Sequence, residues 1–204
     1  MITVLLDKAE FEYDIHSLVK AFYPKEEVYV STKDKEKKEE PVHYHMDVQF
    51  APEEIIFSWK RVEASEDNAN QTGITKCVAV DYTNRKETKN SLKRTLYRLL
   101  SEYTGVELPW GNLTGIRPTK IPMALLEEGK SEEEIARYMK ETYFTSDEKI
   151  KLSIEIAERE LELLHKLDYE EGYSLYIGIP FCPTTCLYCS FTSYSMSAWK
   201  NRME

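Results

Sequence analysis

The sequence predicts an α/β protein: an N-terminal α+β domain with a mainly antiparallel sheet, a helical connector, and then a strand running into a cysteine-rich loop. Three observations carry this. Apolar residues alternate with a period of two through Val42, Tyr44, Met46, Val48 and Phe50, and again across residues 55–62, as half-buried strands require. Helical spacing sets in from Lys89 and recurs between residues 123 and 167. Three of the four cysteines then fall between Cys182 and Cys189.

Composition limits what such a chain can do. Of 204 residues, 42% are hydrophobic and 31% charged, which suits a packed globular chain and not a disordered one. The net charge of −9 disfavours nucleic acid as a partner, because neutralising phosphates takes a basic surface. No apolar run approaches the roughly 20 residues that cross a bilayer, and Asp7 arrives too early for a secretory leader. The expected location is the cytoplasm. In that reducing compartment a tight cysteine cluster binds metal or does redox chemistry more often than it forms disulfides. The separate Cys77, in an apolar stretch, is expected to be a buried small hydrophobe.

Taken in order, residues 2–6 are β-rich, residues 14–22 place Ile15, Leu18, Val19 and Phe22 on one helical face, and residues 27–31 form a strand. Residues 32–40 hold no apolar side chain and read as a solvated hairpin loop. The strand at 42–50 carries His43 and His45 on its other face, since strand side chains repeat every two residues. A His-x-His pair can bind metal, but with no third ligand nearby the expectation is exposed strand histidines. Residues 66–73 are a polar loop and 76–82 a further strand.

A helix from Lys89 aligns Leu92, Leu96, Leu99 and Leu100, and Gly105 is its stop signal. Three prolines and two glycines between Leu108 and Pro122 preclude a continuous element, so that segment is a shaped loop. Its Arg117 and Lys120 either meet an acidic substrate or belong to a loop that locks the N-terminal domain onto the rest of the chain. Residues 123–128 form a short helix ending at Gly129. Ser131 and Glu134 form a capping box, and Thr145 with Glu148 repeats the signature before a helix to about Leu167. That helix has one stripe through Ile150, Ile154, Ala157, Leu161 and Leu164 and a second through Leu152, Ile156, Leu163 and Leu167, so packing on two sides is expected. His165, near its end, complements the helix dipole.

Residues 173–179 are β-branched and aromatic, a strand aimed at Cys182-x-x-x-Cys186-x-x-Cys189. Three close thiolates can hold three irons of a [4Fe–4S] cube and leave the fourth iron open to an outside molecule. Structural zinc would want a fourth ligand, a ferredoxin a fourth cysteine, and a thioredoxin-like Cys186-x-x-Cys189 leaves Cys182 unexplained.

Cys-x-x-x-Cys-x-aromatic-Cys, with Tyr188 as the aromatic, resembles the motif of radical S-adenosylmethionine (SAM) enzymes. The string Tyr176-Ile-Gly-Ile-Pro-Phe-Cys182 resembles the oxygen-independent coproporphyrinogen III oxidase-like branch, and residues 111–121 (Gly-Asn-Leu-Thr-Gly-Ile-Arg-Pro-Thr-Lys-Ile) its HemZ-type members. The resemblance implies that Cys182, Cys186 and Cys189 ligate a [4Fe–4S] cluster, with SAM on the open iron. It implies that a 5′-deoxyadenosyl radical drives decarboxylation of a propionate to a vinyl group, with an electron donor as partner. It also implies that Tyr176 lies near the cluster and SAM, with simple strand packing as the alternative, and that the backbone of Tyr188 faces the adenine. Two positions depart from the true oxidases: Gly178 replaces a histidine, and Phe191 replaces a cysteine two residues past the third ligand. The related heme-chaperone branch also lacks that cysteine and binds heme, so a heme carrier is the alternative. An interaction module formed by the first 170 residues is a third reading.

The division expected from all this is an N-terminal α/β domain at 1–105, a loop and helical connector at 106–170, and the start of a radical SAM barrel at 171–204. A TIM-like barrel needs roughly 200 residues after its cysteine loop, and 15 follow Cys189. The chain is therefore expected to hold only the first barrel strand, with unpaired edges, and to be inactive by itself.

Overall fold

The computed structural model describes residues 1–32, 42–62, 73–115, 117–168, 171–184, 186–187, 189–191 and 193–199. The mixed-charge run at 33–40 and the polar loop up to residue 72 lie outside the described residues. The chain divides into two compact units, Met1–Leu163 and Leu164–Glu204.

The first unit opens with β1 (Ile2–Leu6), α1 (Glu12–Phe22), β2 (Val28–Thr32), β3 (Tyr44–Phe50), β4 (Glu54–Arg61), β5 (Gly73–Ala79) and α2 (Arg85–Thr104). The strands form one sheet in the order β2-β1-β3-β4-β5. The β3–β4 and β4–β5 ladders are antiparallel and pair seven residues each. Those of β1 with β2 and with β3 are parallel and pair five each. The expected α/β class with a mainly antiparallel sheet is what forms. The parallel β1–β2 ladder arises because α1 returns the chain to the same end of the sheet before β2, the ordinary outcome of a strand–helix–strand connection. β2 and β3 lie on either side of β1 and both run parallel to it, so they do not form the hairpin expected around residues 32–40.

One face of the sheet is packed and the other open. Ile2, Val4, Leu6, Met46, Val48, Phe50, Ile55, Phe57 and Trp59 point inward and are buried with Ile15, Leu18 and Val19 of α1 and Leu92, Leu96, Leu99 and Leu100 of α2. Thr3, His45, Asp47, Ser58 and Thr75 alternate onto the opposite face, which no helix covers among the described residues. This parity corrects the expectation for Cys77. The thiol is exposed, because Ile74 and Val78 take the inward positions of β5 and leave Thr75 and Cys77 outside. β5 also starts three residues earlier than its apolar run suggests, and α2 starts four residues earlier, where the Asn84 side chain accepts from the Glu87 N–H.

The helices after α2 build a second core. α3 (Lys120–Glu127), α4 (Glu132–Tyr143) and α5 (Asp147–Leu164) enclose Ile135, Met139, Ile150 and Ile154, with Leu113, Ile121, Leu125 and Leu126 packed around them. Pro122 is accommodated because it falls in the first turn of α3, where a missing N–H removes no helical bond. Ser131 and Glu134 cap each other as the pattern predicts. At α5 the cap is Ser146, whose Oγ accepts from the Lys149 N–H, and not Thr145, which is buried. α5 ends at Leu164, three residues short of expectation, and most of its second stripe is open: Leu152 and Leu163 are 40% and 61% exposed, and only Ile156 is half-buried.

The Leu108–Pro122 segment ties the two cores together. The Leu108 N–H donates to the Tyr97 hydroxyl of α2 (3.0 Å), and the Lys93 ammonium of α2 donates to Thr114 Oγ1 (3.1 Å). Asn112 is buried and caps the end of α4, giving its backbone N–H to the Tyr143 carbonyl (2.8 Å) and its amide to Thr142 (3.2 Å). Gly111 beside it, at φ 56°, would place a Cβ 1.9 Å from the Tyr143 carbonyl oxygen, so only glycine lets the loop come this close.

Candidate metal centre

The second unit carries three of the four cysteines, Cys182, Cys186 and Cys189. Residues 173–180 are described without regular structure, and Tyr173, Leu175, Tyr176, Ile177 and Ile179 are all exposed. The strand expected there is therefore not formed. Its apolar alternation offers a ladder, but no neighbouring strand pairs with it among the described residues. Tyr176 folds back over the backbone: a Cβ at Gly178 would meet its ring at 3.1 Å.

Regular structure begins at β6 (Phe181–Cys182), which pairs in parallel with β7 (Tyr194–Ser195), followed by one turn of helix, α6 (Met196–Trp199). Phe181 stands opposite Tyr194 and Cys182 opposite Ser195. The Tyr194 N–H donates to the Pro180 carbonyl at 2.7 Å. Between the paired ends, the Cys189 N–H donates to the Cys186 carbonyl (3.0 Å), which folds the last two cysteines into one turn.

All three thiols are free, with Cys186 exposed and Cys182 and Cys189 half-buried. Among the described residues no three His, Cys, Asp or Glu side chains are gathered to hold an ion. The chemistry of the donor set nevertheless fits an iron–sulfur cluster: three thiols free of disulfides on one loop, two of them in a tight turn, all reachable from solvent, with only a long Cys189 Sγ contact to the Phe191 carbonyl (4.0 Å) to give up. Tyr188 lies outside the described residues, and Tyr176 is exposed in the same unit.

Other positions singled out by sequence are occupied differently. Arg117 pairs with Glu160 of α5 (3.3 Å), and Lys120 is an exposed first residue of α3. His45 holds Thr3 Oγ1 through Nδ1 (2.9 Å) and Asp47 through Nε2 (3.1 Å), while His43 meets Glu26 (3.1 Å). An open cleft of about 870 Å³ between α2 and the start of α5 has its cations already engaged: Lys76 with Glu102, Lys140 with Asp147, and Arg98 over the Phe144 ring. Sequence reasoning misses Phe181, Tyr194 and Trp199, whose rings lie within 5.4–6.2 Å of one another. The signal for them is the presence of aromatic residues on both flanks of the cysteine loop.

The chain is 40% identical over 133 residues to the oxygen-independent coproporphyrinogen-III oxidase-like protein HemZ of Bacillus subtilis (strain 168). That match covers 63% of this chain and 26% of the relative, so the chain spans about a quarter of the length of the curated protein it matches. No family model matches. A likeness to the crystal structure of protein VC0702 from Vibrio cholerae, at 8% identity over 52% of this chain and 75% of that one, has a TM-score of 0.20 and carries no argument.

Proposed function

We propose that this chain is the cluster-bearing part of a radical SAM oxidoreductase of porphyrin and heme biosynthesis, acting in the cytoplasm. The observation that carries the reading is the loop of three free thiols, Cys182, Cys186 and Cys189, closed at its base by strand pairing. The similarity to a coproporphyrinogen-III oxidase-like protein supports the choice of a porphyrinogen as substrate. In this reading residues 1–105 form the N-terminal domain, 106–170 the connector and 171–204 the start of the catalytic barrel.

When bound, a [4Fe–4S] cluster and SAM, fed by an electron donor, would supply the radical chemistry of hydrogen abstraction. The three cysteines would hold the cluster as thiolates. Tyr176 and Tyr188 would face the bound SAM. The strand at 173–179 would gain its ladder from barrel strands on either side, which accounts for its apolar and exposed state.

The test is anaerobic reconstitution with iron and sulfide. The wild-type chain should take up about four of each, and Cys182→Ala should lose them. Uptake unchanged by Cys182→Ala would rule out this ligand set. A heme carrier is the second reading, favoured by Phe191 at the position where oxidases place a further cysteine. Stable heme uptake without porphyrinogen turnover would distinguish it.

A further inference from the structure

We propose that Phe181, Tyr194 and Trp199 act as an aromatic clasp that closes the cysteine loop and sets how tightly its cluster is held. The inference rests on the cluster reading above and adds positioning residues that lie outside the cysteine motif. Cys182 sits on β6, and β6 is held by one neighbour among the described residues, β7. The backbone bond from Tyr194 to Pro180 and the ring contacts Phe181–Tyr194 (6.2 Å), Phe181–Trp199 (6.0 Å) and Tyr194–Trp199 (5.4 Å) pin the two ends of the loop together. The three rings are tilted at 44–56° to one another, a favourable arrangement for aromatic contacts.

The energetic logic is loop closure. An open loop must lose conformational entropy each time three thiolates are gathered on one cluster. Joining Phe181 to Tyr194 makes that loss before the cluster arrives, so less is lost on binding. The geometry also separates the tasks. Cys186 and Cys189 are gathered locally by their own turn, whereas Cys182 depends on the clasp for its position. Loosening the clasp should therefore release the Cys182 ligand first.

The experiment compares wild type, Tyr194→Ala, Trp199→Ala and Tyr194→Phe, each reconstituted anaerobically and then challenged with an iron chelator. Supporting arrangements at metal sites typically change retention by about 10- to 100-fold. Tyr194→Ala and Trp199→Ala should lose iron about tenfold faster than wild type, and the reduced cluster's paramagnetic resonance spectrum should shift as the Cys182 ligand loosens. Tyr194→Phe, which keeps ring and backbone, should match wild type within about twofold. Far-ultraviolet dichroism should be the same in all four chains, because the two cores lie in residues 1–163. A loaded wild type with unaltered retention and spectrum in both alanine variants would overturn the clasp and leave the cluster reading standing. No cluster in the wild type would overturn the cluster reading and, with it, the clasp's role.

Discussion

Lys93 shows how a single side chain joins the two cores. It lies in the buried face of α2, 7% exposed, with Thr114 as its hydrogen-bond acceptor. Burial lowers its pKa from the ordinary 10.5, opposed by the nearby Asp14 carboxylate and aided by Lys89. A depressed lysine pKa means that the folded state binds fewer protons than the unfolded one between the two values. Its cost to stability is therefore present at neutral pH and fades as pH rises toward 10.5. Lys93→Met keeps the aliphatic packing and removes the buried charge, so it should stabilise the chain by about 1 kcal/mol at pH 7. The difference should shrink by about pH 10, as read by urea denaturation at the two pH values. A gap that does not change with pH would show that the charge is not what costs stability. Cys77 carries a different lesson. Residue type alone argues for burial, but in a strand the decision belongs to parity, and its neighbours Lys76 and Val78 hold the inward face of β5.

At the scale of elements, periodicity locates the helices and strands and misjudges mainly their ends. Gly105 and Ser131 mark helix boundaries where sequence puts them, because each signal is a local bond or a local φ. The start of α2 escapes periodicity because Asn84 caps a polar first turn with no apolar stripe to announce it. The two stripes of α5 look alike in sequence, and only the neighbours distinguish them. Ile154 faces α4 in the second core, while Leu163 faces water. Ile154→Ala should accordingly cost about 2–5 kcal/mol, and Leu163→Ala less than about 0.5 kcal/mol, in equilibrium unfolding of this chain. Equal costs would mean that the second stripe is covered in solution.

For the whole molecule, the division at Leu163 and Leu164 carries its own expectation. Both cores belong to the first unit, so a fragment of residues 1–163 should unfold cooperatively with a thermal midpoint within about 3 °C of the full chain, a shift worth under about 1 kcal/mol for a domain of this size. A fragment without a cooperative transition would show that the two units depend on one another. The cysteine spacing is legible in sequence because motif chemistry is local. The open state of residues 173–179 is not, because a ladder exists only when a second strand supplies it. The strand order has a further consequence, for synthesis on the ribosome. β1 is made before β2 and β3 yet lies between them, and Ile2 pairs with Tyr44, far along the chain. At translation rates of about 5–20 residues per second, the newborn strand waits roughly 2–8 s for that partner. Over that interval α1 and β2, made between the two partners, are placed to cover it, so early shelter for β1 falls to them.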